Sequence, residues 1–224
     1  MYASRILSAI INIVLFCIES VGIVVIRAKI TGIKDLITAM IAEDNGADFI
    51  SFVFYVDSKD FVSPARAGVM SEQTPYTRKV GIFTDEDLTR VNRVADEVGL
   101  DYVQLNGNES DAYIRRVNRP VIKRYYYDER YFSVKRAEEC PAEIILLDIG
   151  AQDYHNKKLA EDIAHMHKSV IVAGDIDREN VMKVNHALKP YAVDVSEGVN
   201  YCGEKDRYKL KAFLRRVDGN CYNR

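Results

Sequence analysis

The feature that most constrains this chain is an alternation of short apolar runs with amphipathic helical stretches, from about Val24 to the C-terminus. Strands that alternate with helices in this way form a parallel sheet whose faces are covered by helices. Eight such strand–helix units follow one another without an internal linker. The pattern predicts an α/β fold, a single (β/α)8 TIM barrel, over residues 23–224.

The last two predicted strands, Val170–Ala173 and Ala192–Val195, end in turns of small residues. Gly174 follows the first strand, and Ser196 and Gly198 follow the second. In TIM barrels the loops after strands seven and eight commonly bind phosphate, with help from helix N-termini. The turns therefore predict a small phosphorylated metabolite as substrate. The alternative is an ordinary strand-to-helix connection, which uses the same residue types.

Composition narrows the range of partners. The 224 residues include 31 Lys and Arg against 33 Asp and Glu, and no basic stripe stands out, so we expect no nucleic-acid partner. The four cysteines are scattered without a CxxC pair, and the four histidines show no ligand spacing. These features favour reduced thiols in a cytoplasmic chain without a metal site.

Residues 1–22 form an apolar extension ahead of the predicted barrel. Arg5 precedes the apolar run Ile6–Ile18, and Glu19 follows it. The run is shorter than the roughly 20 residues that span a bilayer, and no A-x-A-like cleavage site follows it. Three interpretations stay open: an upstream extension, an interfacial or membrane anchor, and an additional helix on the barrel. For the barrel itself we expect no membrane partner.

Active sites of TIM barrels lie at the C-terminal ends of the strands. The polar and small residues at those ends are Lys29, Thr31, Gln104, Asn106, Lys123, Asp148, Gly174, Asp175, Asp194, Ser196 and Gly198. Asp148 is the first candidate because it leaves the apolar strand Ile144–Leu147 into the predicted pocket. Partial desolvation there raises the pKa of a carboxyl group toward values useful to a general acid. The alternative is a carboxylate that only caps the next loop.

From about Ile26 to Val217 the chain resembles the phosphoribosylanthranilate isomerases of tryptophan biosynthesis. The segments that carry the resemblance are 28–33 (AKITGI), 46–54 (GADFISFVF), 80–83 (VGIF), 101–109 (DYVQLNGNE), 121–123 (VIK), 146–148 (LLD), 172–174 (VAG) with 179–181 (ENV), and 191–199 (YAVDVSEGV). Their order and spacing agree with the family throughout.

The resemblance implies an Amadori rearrangement of N-(5-phosphoribosyl)anthranilate, an aldose–ketose isomerisation that needs neither cofactor nor metal. A general acid opens the furanose ring to a Schiff base, and a general base removes the proton on sugar C2. Asp148 corresponds to the family's acid, and Thr31 stands at the position of its cysteine base. We expect a monomer or a homodimer.

The remaining candidates divide into two groups by their expected contacts. The predicted substrate-binding residues are Lys29, Asp60, Gln104, Asn106 and Asp194. The predicted phosphate-binding residues are Gly174, Asp175, Ser196 and Gly198.

Several of these positions depart from the family pattern. An unassisted threonine hydroxyl, unlike a thiol with a pKa near 8.5, does not serve as a base at neutral pH. Asp60 replaces the arginine that binds the anthranilate carboxylate, and Lys59 beside it offers partial compensation. Two carboxylates at about 4 Å repel by roughly 4 kcal/mol at an effective dielectric constant of about 20. Asn106 replaces a histidine, and Asp175 and Glu197 add negative charge to the phosphate loops.

Two functions follow from these residues. The first is a working phosphoribosylanthranilate isomerase whose base has been replaced or relocated. The second is a diverged non-catalytic barrel that acts as a ligand-binding or assembly protein. A different sugar-phosphate isomerisation, with a neutral or cationic substrate facing the added carboxylates, is a third interpretation.

Overall fold

The computed structural model describes residues 26–150 and 153–218. Within them eight parallel strands close into a barrel, in which each strand pairs with the next and the last pairs with the first. The strands are β1 (Ala28–Thr31), β2 (Phe49–Val53), β3 (Arg78–Phe83), β4 (Tyr102–Leu105), β5 (Val121–Tyr126), β6 (Ile144–Asp148), β7 (Ser169–Ala173) and β8 (Ala192–Val195). The predicted TIM barrel is confirmed, and the predicted extension 1–22 lies outside the described residues.

A helix follows every strand and packs on the outside of the barrel. The helices are α1 (Leu36–Asp44), α2 (Pro64–Glu72), α3 (Leu88–Val98), α4 (Asp111–Ile114), α5 (Val134–Glu139), α6 (Lys157–Ala164), α7 (Val181–Leu188) and α8 (Arg207–Val217). The ends of α3 show why the sequence places them there. The Asp87 carboxylate accepts the free N–H groups of Thr89 and Arg90, and Gly99 ends the helix at φ +69°, a conformation that favours glycine.

Two helices begin later than the sequence predicted. The helix expected over Glu109–Val117 is only the short α4, because Ser110 caps it and Glu109 turns away to the Lys123 ammonium. The expected N-cap of α7, Asp177, accepts instead the N–H groups of the next turn, and Asn180 occupies the cap position. In both cases a side-chain hydrogen bond before the helix outweighs the apolar periodicity.

Strand side chains alternate between the barrel interior and the layer between strands and helices. The apolar part of the interior consists of Phe49, Val80, Ile122, Ile144, Leu146, Ile171 and Ala192. A larger cluster fills the space between the strands and the helices. Above the interior cluster the inward-facing residues become polar, as at Thr31, Gln104 and Arg124, so the C-terminal end of the barrel forms the floor of an open cavity.

The chain after β8 adds a short 3-10 helix, Glu197–Val199, and a hairpin of β9 (Asn200–Tyr201) and β10 (Glu204–Lys205). The hairpin brings the Lys205 ammonium to the Ser196 carbonyl oxygen at 3.1 Å. Within 26–150 and 153–218, no helix has the length and apolar character required to cross a membrane.

Candidate active site

A cavity of about 560 Å³ opens at the C-terminal ends of the strands, where the fold class places active sites. Nine of the predicted site residues line it: Thr31, Asp60, Gln104, Asn106, Asp148, Gly174, Asp175, Asp194 and Ser196. The structure therefore brings together most of the candidates, which come from six different strands or the loops that follow them.

Three predicted residues, Lys29, Gly198 and Lys123, do not line the cavity; Lys123 is described below with its neighbour Arg124. Lys29 is fully buried beneath its floor and reaches it only through its partners Thr31 and Asp194. Gly198, in the loop after β8, packs against the loop after β7, and a Cβ on this residue would lie 2.0 Å from the Ile176 carbonyl oxygen. The glycine is therefore required for close packing of the loops after β7 and β8.

Three residues at the floor of the cavity form a closed polar cluster. The Lys29 ammonium donates to Thr31 Oγ1 at 2.6 Å and to Asp194 Oδ2 at 2.8 Å. The Thr31 hydroxyl in turn donates to Asp194 Oδ1 at 2.6 Å. Burial lowers the pKa of Lys29, and the Asp194 carboxylate opposes that shift. The cluster holds a carboxylate at 7% exposure with both of its oxygens hydrogen-bonded.

Asp148, the predicted acid, ends β6 and is hydrogen-bonded to Arg124 on the neighbouring strand β5. Arg124 donates from Nη2 at 2.6 Å and from Nε at 3.1 Å, both to Asp148 Oδ2. The guanidinium has five N–H groups, and no other hydrogen bond from it exists within the described part of the chain. Three N–H groups thus stay available to a ligand, and the second carboxylate oxygen is equally available.

Sequence reasoning named Lys123 at the end of β5 and missed Arg124. The structure places Lys123 on the outside of the barrel, where its ammonium donates to the Gly107 carbonyl and to Glu109 Oε2 at 2.7 Å. The signal for Arg124 was present in the sequence. Since Ile122 belongs to the barrel interior, the period of two along a strand puts Arg124, and not Lys123, on the inner face.

The strand register places the carboxylates of Asp148 and Asp194 at one level of the barrel. Asp148 is paired with Ala173 on β7, Ala173 with Asp194 on β8, and Asp194 with Lys29 on β1. With strands about 4.8 Å apart, the Asp148 and Asp194 Cα atoms are separated by roughly 10 Å. The small side chain of Ala173 leaves the space between the two carboxylates open to the cavity.

The Gln104 side chain lies at the cavity wall. Its Nε2 donates to Asn106 Oδ1 at 2.9 Å, which orients the amide. Its Oε1 is buried without a hydrogen-bond partner among the described residues. A buried acceptor without a donor costs about 1–3 kcal/mol, and because this oxygen has almost no exposed surface, a ligand in the cavity does not reach it in this conformation.

The loops after β7 and β8 have the close packing expected of an anion site. Gly174 adopts φ +150°, and a Cβ there would lie 2.7 Å from the Gly150 carbonyl oxygen. The Asp175 side chain is exposed at the rim. The Glu197 carboxylate, which also lines the cavity, accepts hydrogen bonds from the Lys59 ammonium at 2.5 Å and from Asn200 at 3.0 Å, so Lys59 compensates its charge.

Comparison with known proteins decides the family. The family model of N-(5'-phosphoribosyl)anthranilate (PRA) isomerase matches residues 28–216. Among curated relatives, the N-(5'-phosphoribosyl)anthranilate isomerase of Bacillus cereus is 35% identical over 195 residues, covering 83% of this chain and 96% of the relative. That of Geobacter sp. strain M21 is 37% identical over 202 residues, covering 84% and 96%.

The chain belongs to the phosphoribosylanthranilate isomerase family.

Solved structures agree with this assignment. A phosphoribosylanthranilate isomerase in complex with reduced 1-(o-carboxyphenylamino)-1-deoxyribulose 5-phosphate has a TM-score of 0.79 and 33% identity, covering 87% of this chain and 99% of that one. Monomers made from the dimeric phosphoribosylanthranilate isomerase of Thermotoga maritima have a TM-score of 0.79 and 32% identity, with the same coverage. Dimeric and monomeric members therefore share this fold.

Asp60, which the resemblance places at the position of the family's arginine, has the Lys34 ammonium near its carboxylate. Its carboxylate lies against Gly32, where a Cβ would meet Asp60 Cγ at 3.0 Å, and is 3.9 Å from the Lys34 ammonium. Lys59 does not replace the arginine: its side chain is exposed and its pKa is raised by the hydrogen bond to Glu197. The compensation expected from Lys59 is thus directed at Glu197 in the loop after β8.

Proposed function

We propose that this chain catalyses the isomerisation of N-(5'-phosphoribosyl)anthranilate to 1-(o-carboxyphenylamino)-1-deoxyribulose 5-phosphate in tryptophan biosynthesis. Family membership and the related complex with the reduced product support the substrate class. The observation that carries the proposal is the position of the Asp148 carboxylate, which ends β6 in the cavity at the same level of the barrel as the Thr31–Asp194 cluster.

The geometry supports a definite orientation of the substrate. The phosphate lies at the loops after β7 and β8, where Gly174 and Ser196 allow close approach of the backbone. The ribose then lies over Ala173 between the two carboxylates. Asp148 protonates the furanose ring oxygen, which opens the ring to a Schiff base.

The anthranilate carboxylate then requires a cation, which Asp60 does not provide. Within the described part of the chain, Arg124 is the one lysine or arginine that lines the cavity, whereas five carboxylates line it. Its planar guanidinium has N–H groups left over from the Asp148 pair, and this geometry suits bidentate recognition of a carboxylate. We assign the binding of the anthranilate carboxylate to Arg124.

Turnover of freshly prepared N-(5'-phosphoribosyl)anthranilate, followed by loss of its fluorescence, tests this function. We expect turnover by the unchanged chain and a loss of about 10²–10⁴-fold in Asp148→Asn, because the amide cannot donate a proton. Asp96→Asn, an exposed carboxylate on the outer helix α3, is the matched control and should keep full activity.

The absence of turnover by the unchanged, folded chain would refute the enzymatic function. Binding of the reduced product analogue without turnover would then favour the non-catalytic, ligand-binding barrel. Full activity of Asp148→Asn would remove Asp148 from the role of acid while leaving the isomerase function in place.

A further inference from the structure

The proposed reaction needs a base, and the residue at the base position does not supply one. The Thr31 hydroxyl donates a hydrogen bond to Asp194 Oδ1 at 2.6 Å and accepts a hydrogen bond from Lys29. A threonine hydroxyl titrates far above neutral pH, and a neighbouring carboxylate is too weak a base to remove its proton. In this cluster Thr31 is therefore a hydrogen-bond donor, and the group that can accept a proton is Asp194.

Position distinguishes Asp194 from the other carboxylates of the cavity. Asp175 is exposed at the rim, and Glu197 is exposed and paired with Lys59. Asp60 is on the loop after β2, where its carboxylate lies against Gly32. Asp194 instead lies on β8 at the level of Asp148, with only the alanine of β7 between them. With their Cα atoms roughly 10 Å apart on the two strands that flank β7, an acid and a base can both act on one sugar that lies over Ala173.

The surroundings of Asp194 fix its orientation without using all of its acceptor capacity. Lys29 binds Oδ2 and Thr31 binds Oδ1, one hydrogen bond to each oxygen. Each carboxylate oxygen has two lone pairs, so both retain one that can accept a proton. A carboxylate in a site that excludes water is known to serve as the base of an aldose–ketose isomerisation.

We propose that Asp194 is the catalytic base of this chain and that Thr31 and Lys29 position it; this inference rests on the proposed isomerase function. Asp194 takes the proton from C2 of the Schiff base. The electrons of that C–H bond form the C1–C2 double bond, and the electrons of the C1–N double bond move to nitrogen, which yields the enolamine. The Asp194 proton then passes to C1 while the C2 hydroxyl gives its proton to the Asp148 carboxylate, so both residues return to their starting states.

The test compares Asp194→Asn with Thr31→Val in the fluorescence assay, using substrate with hydrogen or deuterium at C2. We expect a loss of kcat of about 10²–10⁴-fold in Asp194→Asn. Thr31→Val should stay within about tenfold of the unchanged chain and retain a primary isotope effect. Binding of the reduced product analogue is expected to change by less than about tenfold in both variants, which assigns the loss to the proton transfer.

The opposite pattern, with Thr31→Val inactive and Asp194→Asn within tenfold of the unchanged chain, would overturn the assignment. If Asp194→Asn fails to fold because it leaves the Lys29 ammonium buried without a carboxylate, the double variant Lys29→Met with Asp194→Asn removes both charges. Loss of turnover with retained analogue binding supports the proposal, and turnover in the folded double variant refutes it. An unchanged chain without turnover would refute the isomerase function itself, which is a separate result.

Discussion

Replacing Arg124 by methionine tests whether this arginine has taken over recognition of the anthranilate carboxylate. Methionine keeps much of the apolar stem and removes every N–H group. The substitution has two consequences, because the guanidinium also donates two hydrogen bonds to Asp148. A loss of activity with the full substrate alone would therefore not separate substrate binding from positioning of the acid.

A double-mutant cycle that includes the substrate separates the two effects. The unchanged chain and Arg124→Met are each assayed with N-(5'-phosphoribosyl)anthranilate and with the corresponding aniline derivative, which lacks the carboxylate. Loss of the Asp148 contacts affects both substrates equally and cancels in the cycle. A charge-assisted hydrogen bond contributes about 1.5–3 kcal/mol, and the Arg124 side chain is 33% exposed. We therefore expect a coupling near the lower end, about 1.5–2 kcal/mol, or roughly 10–30-fold in kcat/KM.

Lys59→Met is the matched control, because it removes a cation from the same rim. The Lys59 side chain is 62% exposed and already paired with Glu197, so its coupling to the substrate carboxylate should stay below about 0.5 kcal/mol. A coupling near zero for Arg124, or a larger one for Lys59, would refute the assignment and return carboxylate binding to the loop that contains Asp60.

Two further predictions concern stability and titration. Lys123→Met should lower the free energy of unfolding by about 3–5 kcal/mol in a denaturant titration, because it leaves the Glu109 carboxylate, at 2% exposure, buried without its cation. The control Lys135→Met removes a lysine from an exposed pair and should lower the free energy of unfolding by less than about 0.5 kcal/mol. Equal losses in the two variants would contradict this reasoning. Burial and nearby carboxylates raise the pKa of Tyr113 to about 12, so above pH 10 the unfolded chain loses this proton first and stability falls as the pH rises toward 12. Tyr113→Phe should weaken that fall and remove a tyrosinate absorbance that appears near pH 12 in an ultraviolet titration. A wild-type minus variant difference spectrum with its midpoint at pH 10 would show instead that Tyr113 titrates normally.

Much of the fold was predictable because the period of two and the period of 3.6 are local properties of the sequence. The bounds of β4 and β8 agree with the prediction to the residue, and the buried face of α8 is the predicted one. The helix starts at α4 and α7 were not predictable in this way. At α4 the Glu109 side chain binds Lys123 on β5 and not the start of the helix. At α7 the Asp177 side chain caps a turn that precedes the helix, which begins only after Asn180.

The candidate site divides along the same line. Asp148 and the turns at Gly174 and Ser196 follow from strand order, because the fold class places strand ends at one face. Arg124 was within reach of the alternation rule, since the inner position of Ile122 determines it. The pairing of Glu197 with Lys59 could not be predicted from the sequence, because these residues are 138 positions apart in the chain and meet only where two loops come together.

The sequence by itself determined the barrel, the family and the end of the barrel where chemistry takes place, since each depends on patterns within a few neighbouring residues or on the order of motifs. Only the tertiary structure decided which charges face one another. Barrel closure joins β1 to β8 and brings Thr31 within 2.6 Å of Asp194, although 163 residues separate them. Only this contact makes Thr31 a hydrogen-bond donor to a carboxylate. A hydrogen bond requires atoms about 3 Å apart in space, whatever their separation along the chain.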